Sequence, residues 1–214
     1  GRHAAARAAF AGWLARQAGP EARQAVADAY LAEGQLGAAI RVLQGSADPE
    51  AAALREALAL VLEGARDRAV PALAAAARVR PSASLQLVLG ELLEAVGRTA
   101  EAVEAYREAT RLAPADPRPW VHLGAAYEAA GQCWRAVEAY GHAAELRPDA
   151  RAWTALGRVY QQQRHYKSAV HAYRQAVALR PHDLDALAGL LLAYAGDRNW
   201  AAGLETYHVM RALD

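Results

Sequence analysis

A period of 33 to 34 residues runs through most of this 214-residue chain and restricts its fold more than any other feature. Pro81, Pro114, Pro148 and Pro181 keep that step, and so do Tyr106, Tyr140, Tyr173 and Tyr207. Three series of small residues stay in phase with them: Gly90, Gly124 and Gly157; Ala102, Ala136 and Ala169; Ala109, Ala143 and Ala176. Such self-similarity belongs to architectures in which one small supersecondary unit is stacked repeatedly, because a single unit cannot bury its own apolar face.

Each unit reads as two antiparallel helices. Trp120, Leu123, Gly124 and Tyr127 stand at i, i+3, i+4 and i+7, which is one face of a helix. Gly131 then ends that helix, Ala136, Tyr140 and Ala143 lay out the packing face of a second, and Pro148 stops it. Gly124 and Ala136 are small because two helices joined by a short turn approach closely only where side chains lack bulk.

The segments WVHLGAAY at 120–127 and WTALGRVY at 153–160, each followed by a spaced Ala and Tyr and then Pro, resemble tetratricopeptide repeats. The resemblance is strongest from Ala83 to Pro181. It implies an all-α, right-handed superhelical solenoid of about six antiparallel helix pairs, with a concave groove lined by the first helix of each pair. Working outward by the period gives units near 20–49, 50–82, 83–116, 117–149, 150–183 and 184–214. An additional N-terminal helix is expected within residues 1–19, carrying Phe10 and Trp13. Some units depart from the pattern. Gln44, Gly45 and Ser46 should cut the second helix of the first unit short, and Pro71, unable to donate to the carbonyl four residues back, should make its helix start late or kink. In the fifth unit Arg164 replaces the turn glycine, and in the sixth Gly203 stands where the others carry Ala.

Composition narrows the partners. Hydrophobic residues make up 54% of the chain, which excludes a disordered protein, and a formal charge of +1 excludes wholesale attraction to nucleic acid or membrane. Recognition by charge must therefore be local. Cys133 is the sole cysteine, so no internal disulfide forms, and it is expected to be buried and inert. No apolar run approaches the roughly 18 residues of a membrane helix. Lys167 is the only lysine in a chain rich in Ala and Arg, which points to a GC-rich, bacterial genome. Cytoplasmic and periplasmic locations both stay open. The chain opens on Gly1 rather than Met, so more native protein is expected ahead of it.

The residues offer little chemistry. There is no phosphate-cradling glycine loop and no HExxH zinc signature, and the seven histidines do not combine with Cys or acids at ligand spacing. Ser46, Ser82, Ser84 and Ser168 fall at loops or helix ends without a nucleophile context. The reading is of a protein that is not an enzyme and uses no cofactor or metal. The fifth unit does combine six Arg and Lys residues with Trp153, Tyr160, Tyr166 and Tyr173, but these aromatics occupy repeat-packing positions, which argues against a base-stacking platform.

The expected function is a protein-interaction scaffold that holds a peptide or helical segment of a partner in the groove. The resemblance places Leu54, Leu58, Val61, Leu62, Leu87 and Val88 on groove-facing helices, where they form either an apolar binding strip or ordinary packing between repeats. It places Arg118, His122, Arg151, Arg158, Gln161 and Gln162 there in the fourth and fifth units. From Trp153 to Pro181 the chain contains no Asp or Glu. One reading is a solvated face left by drift; the other is that Arg151 and Arg158 bind carboxylates of an acidic partner segment, since the guanidinium fork matches a carboxylate. A clamp for chaperone C-terminal tails, known in some proteins of this family, is not expected, because Val121, Ala125, Thr154 and Ala155 stand where Asn and Lys are needed. The alternative function is a recognition arm of a larger enzyme, such as a glycosyltransferase, or of a bacterial polysaccharide-export machine. No polar cap follows the sixth pair, so the face near Leu187, Leu191 and Trp200 is expected to meet further chain or to self-associate.

Overall fold

A computed structural model describes residues 19–44, 46 and 48–213. The expected N-terminal helix, with Phe10 and Trp13, lies outside the described residues. The described chain is helical throughout, with no strand among the described residues, and it divides between Leu112 and Ala113 into two compact units.

In the first unit the helices are α1 (Pro20–Ala32), α2 (Leu36–Leu43), α3 (Pro49–Leu62), α4 (Arg66–Val79), α5 (Ala83–Ala95) and α6 (Thr99–Leu112). Asp48 and Ser82 cap α3 and α5 by accepting from the backbone N–H groups of Glu50 and Leu85, at 3.1 and 3.2 Å. Leu43, Leu58, Leu73, Leu85 and Tyr106 are fully buried and form the core. As expected, α2 stops at Leu43 after eight residues. The helix containing Pro71 does not start late: α4 begins at Arg66, immediately after its turn. Pro71 is exposed, while Ala69, Val70, Leu73 and Ala77 are buried along the opposite side, so their packing holds the helix across the lost hydrogen bond. An irregularity does mark this unit: α1 reaches α5, two pairs further on, and Ser82 donates its hydroxyl to Asp28 at 3.4 Å.

The second unit comprises α7 (Pro117–Ala129), α8 (Cys133–Leu146), α9 (Ala150–Gln162), α10 (Tyr166–Leu179), α11 (Leu184–Gly196) and α12 (Trp200–Arg211). Asp116, Asp149 and Asp183 cap the first helix of each pair, accepting from Arg118, Arg151 and Asp185 N–H groups at 3.0 to 3.1 Å. Between the helices of a pair the chain turns through one left-handed residue: Gly131 at φ 72°, Arg164 at φ 60° and Arg198 at φ 59°. The next residue reaches back across the helix end in each case, as His165 N–H does to the Tyr160 carbonyl at 2.9 Å. The small residues do what their spacing implied. A Cβ on Gly124 would stand 2.8 Å from the Tyr140 ring, and one on Gly157 would stand 2.9 Å from Tyr173. The Tyr140 and Tyr173 rings thus pack directly on the first-helix glycines of their own pairs.

Candidate functional site

The basic residues singled out on the first helices of the second unit do not form one cluster. Arg118, at the start of α7, turns back to the cap: its guanidinium donates to both Asp116 carboxylate oxygens at 2.5 to 3.1 Å. Partial burial pushes the Asp116 carboxyl up, but the side-chain and backbone bonds from Arg118 outweigh it and hold the group below its ordinary range. The bond to Asp116 correspondingly raises the Arg118 guanidinium above its usual value. His122, one turn on, is half-buried.

Arg158 and Gln162 of α9 come together on a carboxylate that sequence reasoning missed. Glu128, near the end of α7, accepts from Arg158 at 3.0 Å, from Gln162 at 3.1 Å and from the Tyr140 hydroxyl at 3.3 Å. Its side chain is only 14% exposed, against 56% for Arg158. The Tyr140 phenol is pushed well above its ordinary range, first by burial and then by the Glu128 charge. Glu94 and Tyr106 make the same contact in the first unit at 2.9 Å. The signal was available: Glu94 and Glu128 keep the 34-residue step, each twelve residues ahead of a packing tyrosine. Part of the basic excess between Trp153 and Pro181 is therefore balanced from the preceding repeat.

Arg151 differs from both. Its backbone N–H bonds the Asp149 cap, but the side chain is exposed, and among the described residues no carboxylate lies within ion-pairing reach of its guanidinium. Gln161 is half-buried, and its Oε1 has no hydrogen-bond partner among the described residues. Arg164, Lys167 and Arg174 are exposed.

The apolar strip needs correcting as a surface. Leu54, Leu58, Leu87 and Val88 are buried, Val61 is half-buried, and only Leu62 stands open. Of the two readings of the strip, packing is the one this burial matches, because these side chains fill the space between successive pairs. Leu54 also forms part of the wall of a cavity in the first unit. On the last pair Leu187 is buried and Leu191 half-buried; the open residues include Leu184 and Leu192 of α11, Val209 of α12, and Trp200, Leu204 and Tyr207 at i, i+4 and i+7 of α12. Cys133, expected in the interior, is half-exposed. Trp153, Tyr160 and Tyr166 are half-buried and Tyr173 is buried, in keeping with packing positions. Among the described residues no group of three or more His, Cys, Asp or Glu side chains is placed to hold a metal, and no helix is long and apolar enough to cross a membrane.

Family models of the tetratricopeptide repeat match residues 83–126 and 150–183. The chain is a tetratricopeptide-repeat protein. Solved structures with a similar fold include the crystal structure of MamA protein, with a TM-score of 0.69 and 21% identity over 75% of this chain and 89% of that one. A MamA RS-1 double mutant matches with a TM-score of 0.70 and 20% identity over 78% of this chain and 94% of that one. The crystal structure of the APC/C hetero-tetramer Cut9-Hcn1 matches with a TM-score of 0.59 and 24% identity over 90% of this chain and 39% of that chain. No curated protein matches the tetratricopeptide-repeat chain in sequence.

Proposed function

We propose that this tetratricopeptide-repeat protein is a non-catalytic scaffold whose first-helix face on α7 and α9 receives an acidic segment of a partner polypeptide. The supporting observation is Arg151, an exposed guanidinium without an internal carboxylate on a face where Arg118 and Arg158 already hold theirs. An Arg fork in that state is free for a bidentate bond to an incoming carboxylate, whereas Arg158 first has to share Glu128. The partner's main chain lies along α7 and α9, with Gln162, Gln161 and His122 flanking the charged contact.

The test compares proteins retained from a lysate of the source organism by the wild type and by Arg151→Glu, quantified by mass spectrometry. Loss of one charge-assisted hydrogen bond, roughly 1.5 to 3 kcal/mol, weakens a direct partner some ten- to a hundredfold, so specific partners should be depleted by the variant. An identical retained set would refute the assignment. Arg151→Glu is a cleaner probe than Arg158→Glu, which would place a second carboxylate against Glu128 and disturb the unit itself.

The exposed stripe of Trp200, Leu204 and Tyr207 supports a second mode, self-association through α12, in which two copies cover each other's apolar side chains.

A further inference from the structure

The cavity in the first unit, of about 280 Å³, lies among Ala53 on α3, Ala72, Ala75 and Ala76 on α4, and Leu85 on α5. What it lacks becomes clear from the second unit. The turn glycines Gly64 and Gly131 set the second and fourth repeats 67 residues apart, and by that step Ala53 occupies the position of Trp120. The walls correspond as well: Ala75 to His142, Ala76 to Ala143 and Leu85 to Ala152. In the fourth repeat Trp120 fills this space. Its ring meets His142 with centroids 4.8 Å apart, packs on the cluster of Ala143, Ala144 and Ala152, and donates its indole N–H to the Pro114 carbonyl at 3.1 Å. The second repeat keeps one alanine of the wall, Ala76, has Ala75 and Leu85 in place of His142 and Ala152, and omits the Trp ring.

We infer that this cavity is a socket for an aromatic side chain presented by a partner polypeptide, with a basic residue beside it. Its size is below the roughly 300 to 1,000 Å³ of sites for drug-sized ligands and suits one inserted side chain. A further observation points to the occupant. The rim carries Glu50 and Glu56, with Asp48 behind them, against the single Arg80, whose guanidinium is already bonded to Glu50 and Asp48. The excess negative charge favours Lys or Arg next to the inserted ring. This socket is distinct from the basic first-helix face of α7 and α9 and stands or falls without it.

The test is a titration of the ¹⁵N-labelled protein with a short peptide holding one Trp between two Lys residues, alongside the same peptide with Ala in place of Trp. The Trp peptide should shift the backbone signals of Ala53, Ala72, Ala75 and Ala76, and the Ala peptide should not. In Ala53→Trp the internal ring occupies the socket as Trp120 does in the fourth repeat, so these shifts should disappear while thermal stability rises. Ala75→His offers a second readout at an exposed position: it restores the ring that Trp120 meets in the fourth repeat and should tighten the Trp peptide about threefold. Absence of peptide-dependent shifts at millimolar concentration would overturn the inference, as would shifts unchanged in Ala53→Trp or no tightening in Ala75→His. Trp134 of α8 and Trp200 of α12 are exposed, so shifts that depend on protein concentration alone and vanish in Trp134→Ala or Trp200→Ala would overturn it in favour of a second copy.

Discussion

Gly124 shows how one residue fixes the packing of a helix pair. The backbone of α7 comes so near the Tyr140 ring that no Cβ fits without movement, and that ring is almost wholly buried with its hydroxyl held by Glu128. Two effects compete in Gly124→Ala. Helix propensity favours Ala by roughly 1 kcal/mol. Overpacking against a fixed ring costs about 1 to 3 kcal/mol. Because the ring is anchored at both ends, the clash should win, and the variant should unfold at lower urea concentration than the wild type. Combining it with Tyr140→Leu, which removes the obstacle, should cost less than the sum of the two single changes. A Gly124→Ala protein with an unchanged midpoint would show that the ring yields freely. The glycine and tyrosine series were legible in the sequence because a repeat records the same steric requirement several times. Glu128 was harder to see, since a single glutamate near a helix end resembles any solvated charge until its three donors are in view.

At the level of the element, the turn matters more than the helices it joins. Gly131 enters the left-handed region without cost, whereas Arg164 does so at φ 60° with a Cβ that crowds the carbonyl, a conformation disfavoured by roughly 1 to 2 kcal/mol for an L-residue. The Arg164 side chain is exposed and makes no ion pair among the described residues. Arg164→Gly should therefore raise the stability of the second unit, by up to about 1 kcal/mol once the greater freedom of glycine in the unfolded chain is counted. A rise in the urea midpoint at constant m-value checks this, and a fall would show that Arg164 holds the turn by contacts that outweigh its backbone strain. Pro71 teaches the converse. Its missing N–H was legible and its consequence was not, because the buried line of Ala69, Val70, Leu73 and Ala77 keeps α4 in place, and tertiary packing rather than local propensity decides where a short helix begins. Similarly, Leu54, Leu58 and Leu87 could be assigned to first helices but not to a side of them, since apolar side chains suit a core and a docking strip equally well.

For the molecule as a whole, a net charge of +1 leaves no general field to steer assembly, so self-association depends on apolar patches. The exterior of α12 supplies one. Trp200, Leu204 and Tyr207 are 68%, 59% and 48% exposed and fall within one stripe of the helix. Burying such side chains is worth about 25 cal/mol per Å² of apolar surface, but stable interfaces take about 800 Å² from each partner. One face of a 12-residue helix provides less than that, so the contact should be weak and reversible rather than constitutive. The mean mass in sedimentation equilibrium should therefore rise with concentration. Leu204→Glu sets an unpaired carboxylate in the middle of the stripe, which costs several kcal/mol if buried and nothing if left in water. Since Leu204 is exposed in the isolated chain, helix content should not change, while the concentration dependence should vanish. A wild type that stays monomeric throughout, or a Leu204→Glu variant that associates as the wild type does, would remove α12 as the contact.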